Sequence, residues 1–183
     1  MSDTQFKRYT TDTAPEGSRD LMKNIQASYG FMPELFAYMA ESPEVLEAYA
    51  TVNKLISKTS LTPAQQQLVL LAVSRENDCG FCQVAHEAVG LQSGLDKDTL
   101  AALKADKDIK NHTDAALVTL AQAIVEKRGR LNDGDLSAFY EAGFGTKQVM
   151  EVILGVSLKT LSNYTNHLTH PEPNPELLKM IAS

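Results

Sequence analysis

The 183 residues carry a formal charge of -6, with 43% hydrophobic and 22% charged side chains. Those proportions are ordinary for a globular chain, and an acidic sequence with no Lys/Arg cluster lacks the basic surface that nucleic acid requires. No stretch approaches the roughly 18 apolar residues of a membrane span, and the opening residues lack the apolar region of a secretory leader. The expectation is a cytoplasmic protein, residues 1–183 forming one helical domain with a flexible segment at about 1–17, and neither nucleic acid nor membrane as partner.

Apolar residues recur at three- and four-residue spacing and β-branched alternation is scarce, so the fold class is all-α. The run "SRDLMKNIQASYGF" predicts a helix starting at Ser18 and ending near Gly30. Two helices follow, split at Ser42-Pro43, with Ser42 as cap, Pro43 in the first turn, and Leu46, Tyr49, Ala50 and Leu55 as an inner stripe. Thr62 and Pro63 start the next helix, whose segment Leu68 to Val73 is apolar all round and marks the centre of the core.

A further helix is expected from Asp78 to Gly90, with Asp78 as its cap. After it come a short helix in "SGLDKDTLAALKA", one in "HTDAALVTLAQAIVEKRG" with His112 outside it as a loop or capping residue, and a brief one in "NDGDLSAFYEAG". A long helix runs from Thr146 until Pro171, Pro173 and Pro175, and a last turn or two follows. Met150, Ile153, Leu154 and Leu158 form its apolar stripe, suited to core or subunit interface. Asn163, Asn166, His167 and His170 suit a polar helix end better than a cleft. "LVLLA" after Thr62 echoes "LVTLA" after Thr113, which fits either a duplicated helical unit or chance.

Both cysteines and one of the four histidines fall in "ENDCGFCQVAHEAVG", Glu76 to Gly90. On a helix Cys79, Cys82 and His86 share one face, and the imidazole lies one turn from the second thiol, where it can take the proton directly or through water. Free N–H groups and the dipole of a helix start favour thiolate, and a neighbouring thiol captures a sulfenic acid or mixed disulfide. Redox chemistry is the favoured reading over metal binding or core packing. A closed zinc site lacks a fourth ligand, since there is no second Cys-x-x-Cys. Haem attachment fails because Gln83 follows Cys82. No Gly-rich phosphate loop is present, and neither metal nor organic cofactor is expected.

The order "LTPAQQQLVLLAVSRENDCGFCQVAHEA", Leu61 to Ala88, resembles the signature of the alkylhydroperoxidase AhpD-like, or carboxymuconolactone decarboxylase, family. The flanks "GFMPELFAYMAESPEVLEAY" and "NYTNHL" look like its peroxidase-related branch. The resemblance implies an all-helical fold, a homo-oligomer (trimer or hexamer), and a thiol peroxidase or disulfide reductase. In that pattern Cys82 attacks a hydroperoxide, Cys79 resolves, His86 assists, and a dithiol protein or small thiol reduces the disulfide. Twelve positions before Cys79, where AhpD-type enzymes carry glutamate, stands Gln67, and Phe81 replaces a histidine before Cys82. The carboxylate–imidazole–thiol relay is thus incomplete, which leaves as alternatives a redox-sensing or partner-binding oligomer and a decarboxylase-like enzyme.

Overall fold

The computed structural model describes residues 5–182, which form helices and connections and, among these residues, no strand. The described residues form ten helices, α1 (Glu16–Tyr29), α2 (Glu34–Met39), α3 (Pro43–Ile56), α4 (Pro63–Glu76), α5 (Gly80–Gln92), α6 (Lys97–Lys104), α7 (His112–Glu126), α8 (Asp133–Glu141), α9 (Thr146–Thr169) and α10 (Pro175–Ala182).

Local chemistry explains most boundaries. Gly30, at φ 77°, closes α1 in the left-handed conformation that only glycine adopts without steric cost. The Ser42 side chain accepts the Val45 N–H at the start of α3, with Pro43 in its first turn. Thr62 and Gln65 satisfy each other's backbone donors as a capping box on α4.

Leu68 through Val73 on α4 are each no more than 2% exposed. One apolar cluster packs α4 with α6, α7 and α8; a second gathers α1, α2 and α3 around Leu70, Cys79, Cys82 and Leu158. Burying each such side chain stabilises the fold by about 1.5–3 kcal/mol, so α4 is the element both halves depend on. Close approach matters at two glycines. A Cβ on Gly155 would lie 3.0 Å from Val69 Cγ1, bringing α9 onto α4, and one on Gly90 would lie 3.1 Å from Leu95 Cδ2 and 3.5 Å from Gln67 Cβ.

Several expectations are corrected. The N-terminal segment is tied down from Arg8 onward. Arg8 grips Glu34 through two hydrogen bonds, Tyr9 N–H donates to Ala37 O, and Ala14 is buried, while residues 1–4 lie outside the described set. Helix α1 starts at Glu16, ahead of Ser18, whose hydroxyl instead donates to Ala40 O in the interior. Leu55 is exposed and Ile56 takes its place inside; His112 is the first residue of α7, because Asn111 caps it. Helix α5 runs past Gly90 to Gln92, since a glycine in helical conformation costs only about 1 kcal/mol and its bare face admits α4.

Candidate active site

The cysteines owe their position to the way α4 ends. Asp78 has φ 52°, Cys79 N–H donates to Ser74 O at 2.8 Å, and Asp78 N–H donates to Arg75 O at 2.9 Å. This is the Schellman pattern, in which one left-handed residue reverses the chain, and aspartate is among the few side chains that tolerate it. Asp78 therefore closes α4 and does not cap α5. Cys79 occupies the cap position, and Cys82 sits in the first turn among backbone donors with no helical partner.

The other wall is α9, and its inward face is polar. Gly155, Lys159, Ser162 and Asn166 follow one another at helical spacing, all buried, with Lys159 and Ser162 at 0% exposure. From the apolar stripe assigned to core or subunit interface, Met150 and Ile153 face outward and Leu158 is buried, and Asn163 is held by Asn77 at 2.9 Å. The expected polar helix end is therefore half interior.

A buried ammonium is tolerable only when paired. Lys159 Nζ lies 2.8 Å from His86 Nε2 and also donates to Cys82. Lysine has only donors, so Nε2 must accept, and the imidazole proton therefore sits on Nδ1, 2.9 Å from Gln67 Oε1. Asn166 Nδ2 lies 3.2 Å from Cys82 Sγ and 3.8 Å from Cys79 Sγ, and Ser162 Oγ is 3.9 Å from Cys82 Sγ.

The two thiols are driven apart in acidity. Cys82 is held well below the usual thiol range, chiefly by the hydrogen bond from Cys79 and then by the charge and hydrogen bond of Lys159 and the Ser162 hydroxyl, against the opposing effect of burial. Cys79 is pushed up because its proton is held by Cys82 and because it is buried. Desolvation, reinforced by the Lys159 charge, holds His86 well below its ordinary value, so the ring is neutral. The arrangement favours the thiolate form at Cys82, beside Lys159, and the protonated thiol at Cys79.

Two openings reach this pair. A cavity of about 160 Å³ is walled largely by rings, among them Tyr29, Phe36, Tyr49 and Phe81, with Cys82, His86 and Lys159 at one end. Helix α10 borders it through Leu177, positioned by Asn174, which bonds Glu34 N–H and Met32 O. A wider cleft of about 490 Å³ lies beside the start of α5 and the end of α9, bordered by Cys79, Asn166 and Glu172.

Sequence reading pointed to Gln67, Cys79, Cys82 and His86, and the structure brings all four together. His86 does not stand directly against Cys82 as base, because both its ring nitrogens engage Gln67 and Lys159. Lys159 was missed, and Asn166 was assigned to a polar end. The available signal was a lysine set between Leu158 and Leu161 at helical spacing from Ser162 and Asn166. Glu87 pairs with Lys104, away from the thiols. Among the described residues no group of three His, Cys, Asp or Glu side chains is placed to hold a metal ion, and no helix is long and apolar enough to cross a membrane.

The all-α bundle, with a cysteine pair at the head of a helix against α4, has the AhpD-like fold. Residues 43–124 match the carboxymuconolactone decarboxylase family. Among solved structures it resembles the alkylhydroperoxidase AhpD core of a peroxidase-related protein from Ralstonia eutropha JMP134, at 21% identity and TM-score 0.85, covering 98% of this chain and 96% of that one. The debrominase Bmp8 superimposes at 13% identity and TM-score 0.79 over 100% and 98% of the two chains. A peroxidase-related protein from Silicibacter sp. TM1040 does so at 17% identity and TM-score 0.78 over 96% and 95%. No curated protein sequence matches the chain.

Proposed function

We propose that the protein is a thiol-dependent oxidoreductase that reduces hydroperoxides through Cys82 and Cys79. The observation that carries this reading is the Cys82 sulfur, placed at the end of an aromatic-walled cavity and held by donors from Lys159 and Asn166, with Ser162 Oγ 3.9 Å away.

In the first step the Cys82 thiolate attacks the terminal oxygen of a hydroperoxide. The O–O bond breaks, Cys82 becomes a sulfenic acid, and the departing alkoxide takes a proton from Lys159 to leave as alcohol. Cys79 then attacks the sulfenic sulfur, its proton leaves with the hydroxyl as water, and a disulfide closes. A dithiol returns two electrons and two protons, one of which restores the Lys159 ammonium. His86 holds Lys159 in place through Nε2 while Gln67 fixes the ring. The carboxylate of AhpD-type enzymes is thus replaced by a cation acting directly on the thiolate.

Consumption of cumene hydroperoxide with dithiothreitol as reductant tests this: the wild type should turn over and Cys82→Ser should not. A homo-oligomer accords with the exposed apolar side chains of α9, Met150, Ile153, Tyr164 and Leu168.

One observation favours a second reading, reductive dehalogenation of a small aromatic ring. A cavity of about 150 Å³ holds a benzene ring, the cavity here is of that size, and a solved structure of a Bmp8 cysteine-to-alanine variant contains 2,3,4-tribromopyrrole. Release of bromide from a bromopyrrole, with no turnover of cumene hydroperoxide, would favour that reading over the first.

A further inference from the structure

The cavity and the cleft reach the cysteine pair from different ends. Cys82 borders the cavity and not the cleft, Cys79 borders the cleft and not the cavity, and Phe81, which borders both, stands between them. A cycling dithiol with one entrance must clear its first substrate before the second arrives; here the geometry offers each its own.

The cleft has features the apolar cavity lacks. Its edge carries the exposed carboxylates Asp78 and Glu172 beside His167 and His170. Asn166, which borders it, is 4% exposed and points Nδ2 at the two sulfurs, which leaves Oδ1 as a buried side-chain oxygen with no hydrogen-bond partner among the described residues. Such an oxygen costs about 1–3 kcal/mol unless something donates to it. An N–H or O–H on a molecule seated in the cleft is a suitable donor.

We infer that the cleft is a separate docking site for the reducing thiol, an uncharged or cationic one, which attacks Cys79 of the oxidised pair and displaces Cys82. The inference rests on the reading of the pair as a cycling dithiol. The reducing thiolate forms a bond to Cys79 Sγ, the Cys79–Cys82 bond breaks, and Cys82 leaves with the electron pair as thiolate. There Lys159 and Asn166 are already placed to hold it, and a sulfur so stabilised is the better leaving group. A second thiol then attacks the reductant's own sulfur in the mixed disulfide, forming the external disulfide. Cys79 departs and takes the proton which that thiol releases. Carboxylates at the edge disfavour an anionic reductant by Coulomb repulsion.

The test closes the pair with diamide, so the outcome does not depend on any hydroperoxide being a substrate. Oxidised protein is mixed with cysteamine, 2-mercaptoethanol or 3-mercaptopropionate at equal thiolate concentration and quenched in acid. The adduct is then located by fragmenting the peptide that holds both cysteines. The expected result is an adduct on Cys79 with Cys82 free, forming fastest with cysteamine and slowest with 3-mercaptopropionate. Each step should be about threefold at low salt, the size of one charge at short range in water, and the spread should shrink in Glu172→Gln. A Cβ at Gly80 would meet nothing within 4 Å, so Gly80→Leu fills the opening without a backbone clash and should slow adduct formation severalfold. An adduct on Cys82, or an even division, would overturn the inference, as would a reversed charge order or an unchanged rate in Gly80→Leu. A pair that diamide cannot close would overturn the dithiol reading beneath it.

Discussion

Lys159 Nζ stands 2.8 Å from His86 Nε2, and the lysine, having only donors, makes the imidazole the acceptor. The ring is thereby fixed as neutral, and the positive charge beside Cys82 belongs to α9. After the hydrogen bond from Cys79, Lys159 is the next group that lowers the Cys82 thiol, and His86 and Gln67 position it.

Replacing the lysine should therefore hurt more than its distance in sequence suggests. Lys159→Met removes the cation from Cys82, and alkylation by iodoacetamide followed against pH should show the Cys82 thiol titrating higher. Reaction with hydroperoxide at neutral pH should fall by about a hundredfold, the usual worth of a positioned proton donor. Lys159→Arg, which keeps the charge in a different shape, should recover part of the rate.

The largest cause of the low Cys82 value is the hydrogen bond from Cys79. Cys79→Ala should raise the Cys82 titration, whereas Cys79→Ser, which retains a donor, should raise it less. Equal titration in the two variants would show that the neighbouring thiol is not a donor.

Gln67→Glu reintroduces the carboxylate found in AhpD-type enzymes, 2.9 Å from His86 Nδ1. An anion there favours imidazolium, so the His86 titration followed by NMR should move up. Because Lys159 already supplies the charge at the thiolate, hydroperoxide turnover should not rise sharply. A large increase would mean that the relay through the ring, and not the lysine, limits the reaction.

The buried ring also links stability to pH. His86 titrates lower in the folded protein than the ordinary value of about 6.5 that it has when unfolded. Between those two values the unfolded chain binds a proton that the native state refuses, so stability is lost as pH falls below about 6.5. Urea unfolding midpoints should drop across that window, and the drop should be smaller in His86→Gln.

Helix α9 should tolerate little added bulk where it crosses α4. In Gly155→Ala the new Cβ meets Val69 Cγ1 at 3.0 Å, and overpacking of this kind costs about 1–3 kcal/mol. The thermal midpoint should fall, and since Lys159 is one turn away, thiol reactivity should fall with it.

Much of the helical outline was legible because its signals are local. Thr62-Pro63, Ser42-Pro43 and Gly30 mark their helix ends through the backbone groups they satisfy or the conformation they allow. Leu68 to Val73 could be read as central because a helix apolar on all sides has nowhere else to go. Cys79, Cys82 and His86 were legible as one face by spacing. Lys159 and Asn166 were not, since periodicity assigns a helix's polar side to water, and here Cys82, 77 residues before Lys159 (159 − 82), turns that side inward. Asp78 was read as a cap because aspartate commonly serves as one; its left-handed backbone follows from the closure of α4, which a single position does not reveal.

If Cys82 is a cavity-facing thiolate, held by Lys159 and resolved by Cys79, the mass and thiol count of reduced protein after one equivalent of cumene hydroperoxide should reveal it, for wild type beside Cys79→Ser, Cys82→Ser and Lys159→Met. The expected outcome is rapid closure of a Cys79–Cys82 disulfide in the wild type, a sulfenic acid on Cys82 in Cys79→Ser, no oxidation of Cys79 in Cys82→Ser, and slow closure in Lys159→Met. Thiols that survive in the wild type as long as free cysteine does, or a sulfenic acid appearing on Cys79, would contradict it.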